Sequence, residues 1–368
     1  MSNMQDFIRW RGDLPFSAVP VGEVDGLILA QLAMYRWEMA LPEGGEAMIG
    51  DLAPRMTEKP VSEGYTTEND AKMLALVGPS ERFGRVLLGD YVHERNEEMQ
   101  FAAATLRLPG GAVFVTFRGT DSAIVGWRED CNMAFSKPVP AQEAARDYLA
   151  RVAALYPGEL MVGGHSKGGN LAMYAASTVD EGVLARISAV YNYDGPGLSD
   201  HMDAPAHYAR LGERLHSFLP QGSVVGLLLA HPDEFTVVKS NSISILQHDP
   251  YSWQVEGPRF VRMAGLSRDS ARFDAAFRAW LGGVDESERA ELVDTLFGIL
   301  GATNARRFDR DFWVALAQNT KAVREAIGGV EPDTRRRVIK MLADLSSLSK
   351  RPAPKKPKGD EKTEKTNA

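Results

Sequence analysis

The sequence predicts an α/β fold, a mainly parallel sheet flanked by helices, followed by a helical C-terminal segment. Three observations carry this prediction. Short apolar runs rich in Val, Leu, Ile and Tyr alternate with helical stretches from about residue 100 to residue 246, the pattern of a parallel sheet covered on both faces. A Gly-rich segment, 163–169, joins one such run directly to a helical stretch. Beyond Arg268 the strand signals stop and only helical periodicity continues.

Taken in order, Val24, Leu27 and Ile28, continuing through 31–35, have helical spacing, with Asp25 near the start to complement the helix dipole. Residues 42–64, with Pro42, Pro54, Pro60 and several Gly, read as irregular and are the place where a cap over a site could lie. Two strands are expected within 100–116, separated by Pro109-Gly110-Gly111 as a hairpin turn. The Ala-rich stretch 142–155 is expected as a helix, 160–163 as a strand and 170–177 as a helix again. Strands then follow at 187–193 and 215–219, with a final hairpin from 235–238 and 243–246. Phe273, Phe277, Trp280 and Leu281 make one helical stripe and Leu292, Val293, Leu296, Phe297 and Leu300 another. Further helices are marked by Phe312, Val338 and Leu342. The expected organisation is an α/β domain over 1–265 with 40–98 as a possible cap, a helical segment over 266–348 and a disordered basic tail over 349–368. The tail has three Pro among seven Lys and Arg and almost nothing apolar to bury.

Composition excludes several classes. The chain of 368 residues is 44% hydrophobic and 25% charged with a net charge of −7, the profile of an ordinary globular protein. Its single Cys rules out a disulfide framework and any Cys-built metal site, and it fits a reducing, cytoplasmic setting. A net acidic balance without a basic run before the tail argues against nucleic acid as a partner. Asp6, Arg9, Arg11 and Asp13 interrupt any secretory signal. The longest apolar run, 224–230, is too short for a transmembrane segment.

The chemistry resides in Gly164-His165-Ser166-Lys167-Gly168, a Gly-x-Ser-x-Gly pattern at a strand-to-helix junction. This is the context of a nucleophile elbow, in which small residues two before and two after the Ser let strand and helix approach. A Ser hydroxyl needs a base, and in an α/β-hydrolase order the His follows the Ser. Of His201, His207, His216, His231 and His248, the first two fall in a polar stretch and His216 within a strand. His231 and His248 remain; His248, in Gln247-His248-Asp249-Pro250 after an apolar run, is the better placed. An oxyanion hole is expected from the strand ending in Phe117-Arg118-Gly119-Thr120, through the Thr120 and Lys167 backbone N–H groups. Arg118 and Asp121 are expected to form a local ion pair. The Lys167 side chain is expected to point into solvent, the alternative being selection of anionic substrates.

These segments resemble the class 3 lipases. Phe117-Arg118-Gly119-Thr120 with Trp127 and Asp130 looks like that family's oxyanion strand and loop, and Gly164-His165-Ser166-Lys167-Gly168-Gly169 looks like its elbow, with Lys in place of the usual apolar residue. The chain from Phe7 to about Leu345 is also similar to a family of bacterial lipase-like proteins that brings no known substrate. The class 3 resemblance implies an acid in the turn after the seventh strand, yet Pro220-Gln221-Gly222-Ser223-Val224-Val225 contains no carboxylate. Asp194, directly after Val190-Tyr191-Asn192-Tyr193, fits the placement used by other lipases, with Asp233 and Glu234 as fallbacks; Asp249 is expected to cap the turn before Pro250.

The expectation is therefore a serine hydrolase with Ser166 as nucleophile, His248 as base and Asp194 as orienter, acting on a small-molecule or lipid ester without metal or organic cofactor. The competing expectation is an inactive hydrolase scaffold that binds a ligand or protein.

Overall fold

Each strand of the main sheet lies beside its neighbour in chain order, so the path through the sheet is a simple progression from β1 to β8. The structure, a computed structural model, describes residues 2–56, 60–63, 67–96, 99–120, 138–199 and 202–281, together with Pro332 and Arg336. The elements, in order, are α1 (Met4–Arg11), α2 (Glu23–Gln31), β1 (Ala47–Met48), α3 (Thr67–Val77), β2 (Leu87–Arg95), β3 (Gln100–Arg107), β4 (Val113–Phe117) and α4 (Pro140–Leu155). There follow β5 (Leu160–His165), α5 (Lys167–Thr178), β6 (Ile187–Tyr193), α6 (Ala204–Leu211), β7 (Leu215–Pro220), β8 (Thr236–Val238), a small pair β9 (Val255–Glu256) and β10 (Arg259–Phe260), and α7 (Arg268–Leu281).

β1 to β4 pair antiparallel and β4 to β8 pair parallel. The parallel half needs crossovers, and α4, α5 and α6 supply three of them. Alternation along the strands divides the core between two faces. Phe114, Met161, Tyr191 and Tyr193 pack with α1, α2, Trp37 and Trp253 on one face. Val115, Val162 and Val190 pack with Tyr148, Leu149, Leu171 and Ala175 on the other. Each fully buried aliphatic or aromatic side chain of this kind contributes about 1.5–3 kcal/mol.

The helices and strands expected at 24–35, 100–116, 142–155, 160–163, 170–177, 187–193 and 215–219 are present. Two departures have local causes. β2 falls within 40–98 and was not expected as a strand; a bulge between Gly89 and Val92 breaks the period-two pattern that would have revealed it. Residues 243–246 do not form the expected second arm of a hairpin. Residues Ser244–His248 form a 3₁₀ turn, and Ile243 and Leu246 stay exposed at 75% and 64%, so their apolarity is not spent on a sheet. The helices expected beyond Leu281, the tail at 349–368, Trp127 and Asp130 lie outside the described residues. No described helix is long and apolar enough to cross a membrane.

Candidate active site

β5 ends at His165 and α5 begins at Lys167, so Ser166 alone makes the turn between them. Its backbone is forced to φ 58° and ψ −134°, a region that costs a non-glycine residue about 1–3 kcal/mol and persists only where the surroundings impose it. The imposition is visible. Ser166 N donates to Tyr193 O at 2.9 Å, and Ser166 O accepts from Gly169 N at 2.8 Å. A Cβ on Gly164 would stand 2.2 Å from the carbonyl carbon of Gly168, and one on Gly168 would stand 2.1 Å from Phe117 O, so only glycine fits at either position. Ser166 thus sits at the amino-terminal end of α5, where free N–H groups and the helix dipole favour negative charge.

The chain after β4 comes up against this turn. A Cβ on Gly119 would lie 2.7 Å from His165 O and 3.2 Å from Ser166 Cβ, so the backbone before Thr120 is in contact with the elbow. Thr120 is buried beside it at 9% exposure.

Asp194 follows β6 in a left-handed conformation, φ 50°, and is wholly buried. Its N–H donates to Phe218 O at 2.8 Å, tying it to β7. Oδ1 accepts from Ser223 Oγ at 2.5 Å and from Gly226 N at 3.2 Å, while Oδ2 accepts from His248 Nδ1 at 2.7 Å. A carboxylate can only accept, so the hydrogen of a neutral His248 is on Nδ1 and Nε2 is left as a base. The turn at 220–225, lacking a carboxylate of its own, instead supplies a hydroxyl to the carboxylate of the preceding strand.

The His248 loop is held on both sides. Gln247 Oε1 accepts from Gly222 N at 2.8 Å, and Gln247 O accepts from Trp253 Nε1 at 2.8 Å. Tyr251 Oη donates at 2.5 Å to the buried carboxylate of Asp70, which also accepts from Ser62 Oγ at 2.6 Å. His248 meets the elbow through His165, whose ring centroid is 4.6 Å from that of His248 and whose Nε2 is 2.9 Å from His248 O. Desolvation of the His165 ring, and then the proximity of His248, push its pKa well below the usual histidine range.

Other candidates fall elsewhere. His231 is 3.5 Å from Asp274 on α7. His207 contacts Ser177, His216 is on β7, and His201 lies outside the described residues. Asp233 and Glu234 are exposed. Asp249 caps the turn as expected, its Oδ1 accepting from Tyr251 N at 3.0 Å. Lys167 requires a correction. Its side chain does not point into solvent; it is 1% exposed and donates to Gln100 O at 2.9 Å. Its methylene stem is long enough to cross from the helix start to the first residue of β3, where a backbone carbonyl receives the charge. Asp121, the expected partner of Arg118, lies outside the described residues.

Ser223, Gly226 and Asp70 carry no sequence signature of their parts, because a hydroxyl or amide that braces a carboxylate has no characteristic spacing from it. Among the described residues no His, Cys, Asp and Glu cluster could hold a metal ion. A groove lined by Leu87, Arg107, Val113 and Tyr156 lies at the opposite end of β4 from Ser166.

No curated protein matches the chain. The native structure of the Rhizomucor miehei lipase propeptide complex is similar at 16% identity and a TM-score of 0.36, over 45% of this chain and 68% of that one. The profile of the Mbeg1-like family matches residues 77–298, more than half of the chain and a span that includes Ser166, Asp194 and His248. The chain belongs to the Mbeg1-like family, a lipase-like family.

Proposed function

We propose that this protein is a serine hydrolase that cleaves a carboxylic ester. The observation that carries the reading is the buried Asp194 carboxylate on His248 Nδ1 at 2.7 Å, with the His248 ring against that of His165, the residue before the strained Ser166. In this reading His248 Nε2 takes the hydroxyl proton as Ser166 Oγ attacks the carbonyl carbon. The charge that develops on the carbonyl oxygen is received by the N–H groups of Thr120 and Lys167 at the start of α5. His248 then returns the proton to the leaving alcohol, an acyl group remains on Ser166, and water activated by the same imidazole releases it.

The likeness of 117–120 and 164–169 to class 3 lipases favours lipid or acyl esters as the substrate class. The competing reading of an inactive scaffold drew its main support from the acid missing at 220–225, and the contact of Asp194 with His248 weighs against it. The deciding experiment is labelling with a fluorophosphonate, which reacts with an activated serine and ignores an ordinary one. Ser166 is expected to be labelled in the wild type, and Ser166→Ala to lose both label and ester turnover. Labelling at another residue, or undiminished turnover in Ser166→Ala, overturns the reading.

A further inference from the structure

Two arginines are buried to a similar degree, and their surroundings differ sharply. Arg82 is 0% exposed and saturated: it donates to both oxygens of Asp25 and to the carbonyls of Leu14, Val19 and Pro20. Arg118 is 3% exposed, and neither Nη1 nor Nη2 has a hydrogen-bond partner among the described residues. A guanidinium cannot lose its proton at any ordinary pH, so burying one without a partner is costly. That cost is carried one residue away from Gly119, where an added Cβ would lie 3.2 Å from Ser166 Cβ.

The register of the sheet shows what lies beside it. Phe117 packs on the α4 and α5 face, so alternation directs Arg118 to the other face, with Phe114. Arg118 N donates to Ala102 O at 2.9 Å, and Ala102 pairs with His93 on β2. His93, Ala102 and Arg118 therefore form one row across three strands. The middle member, Ala102, carries only a methyl group, so it offers neither longer side chain a polar partner. His93 Nε2 is also buried and without a partner among the described residues. The neighbouring carboxylates are already engaged. Glu38 accepts from Arg36 Nε at 3.3 Å and Tyr91 Oη at 3.0 Å and faces His93 Nδ1 at 3.7 Å, while Glu63 is 3.1 Å from Arg95 and 3.8 Å from Arg36.

We propose that Arg118, with His93 across Ala102, receives an anionic group of the substrate, a carboxylate or a phosphate, while the ester lies at Ser166. The inference rests on the hydrolase reading and narrows it to esters that carry a negative charge near the scissile carbonyl. The two free Nη groups form a fork that matches two oxygens of such an anion. A neutral acyl ester has no group to offer it.

The test compares kcat/KM for mono-p-nitrophenyl glutarate, which has a free carboxylate, with that for p-nitrophenyl pentanoate, a neutral ester of the same length. The wild type is expected to favour the anionic ester by about tenfold or more, through KM. Arg118→Gln is expected to abolish the preference and Arg118→Lys to retain part of it, since Lys keeps the charge and loses the fork. In parallel, glutarate and inorganic phosphate are tested for a rise in melting temperature; the more effective one identifies the anion, and the rise should vanish in Arg118→Gln. A wild type that shows neither preference nor a melting shift overturns the proposal even if Arg118→Gln fails to fold, as does a preference unchanged in the variant. If the fluorophosphonate does not label Ser166 but the Arg118-dependent shift persists, the hydrolase reading falls and the anion site stands.

Discussion

The imidazole of His248 and the carboxylate of Asp194 meet at 2.7 Å across a chain separation of 54 residues. Neither group could find the other through local structure. Asp194 is placed by the end of β6, and His248 by a 3₁₀ turn that Gln247 and Tyr251 anchor from either side. Asp194→Asn should keep the fold and lower ester turnover by roughly 10³–10⁴, because the amide no longer holds the imidazole in the tautomer that frees Nε2. Asp233→Asn, at an exposed position, should change turnover by less than about tenfold. Both are measured on one short-chain ester with melting temperature as the control for folding.

Ser223 donates to the other oxygen of the same carboxylate. Ser223→Ala removes a hydrogen bond to a buried charged group, a loss of about 1.5–3 kcal/mol. Denaturant titration should show a destabilisation of that size, with a turnover decrease smaller than that of Asp194→Asn, because Gly226 N and His248 still hold Asp194. Equal activity losses in the two variants would place Ser223 in a larger role than bracing.

Arg82 and Asp25 tie α2 to the segment before β2, both groups being almost fully buried. Removing one partner leaves the other charge stranded, so Arg82→Leu should destabilise the protein by about 3–5 kcal/mol. Urea denaturation reads this directly. Fluorophosphonate labelling below the transition should persist, since neither residue touches the elbow.

His165 supplies a pH dependence. Its pKa is lowered in the folded state by desolvation and by His248, so below the ordinary value of 6.5 the unfolded chain binds a proton that the folded chain refuses. Stability is therefore flat on this account above that pH and falls as pH drops below it. The melting temperature of the wild type should decrease from pH 7 to pH 5 by more than that of His165→Gln, which has no proton to take up. A decrease of the same size in both would remove His165 as a cause.

Much of the parallel half was legible because its signals are local. The strand at 160–163 is a short apolar run and that at 187–193 is mostly apolar, with the helix at 142–155 before the first and the helix at 170–177 between the two. β2 was not legible, since its bulge shifts the alternation midway, and 243–246 misled because exposed apolar residues resemble a strand when only composition is read. In the candidate site, Ser166 was legible from two glycines that no other residue could replace. The buried state of Lys167 was not, because a cation near a helix start reads as solvent-exposed until β3 is seen to offer a carbonyl.

The sequence by itself determined the alternation of strands and helices from β3 to β7, the elbow at Ser166 and the short set of histidines and carboxylates that could serve it. Those features depend on backbone sterics and on periodicities within a few residues. The tertiary structure alone decided that Asp194 rather than Asp233 meets His248, that Ser223 braces it, and that Arg118 is buried without a partner among the described residues. These are contacts between segments brought together by the packing of strands and loops, and no spacing along the chain encodes which side chains will meet once that packing is complete.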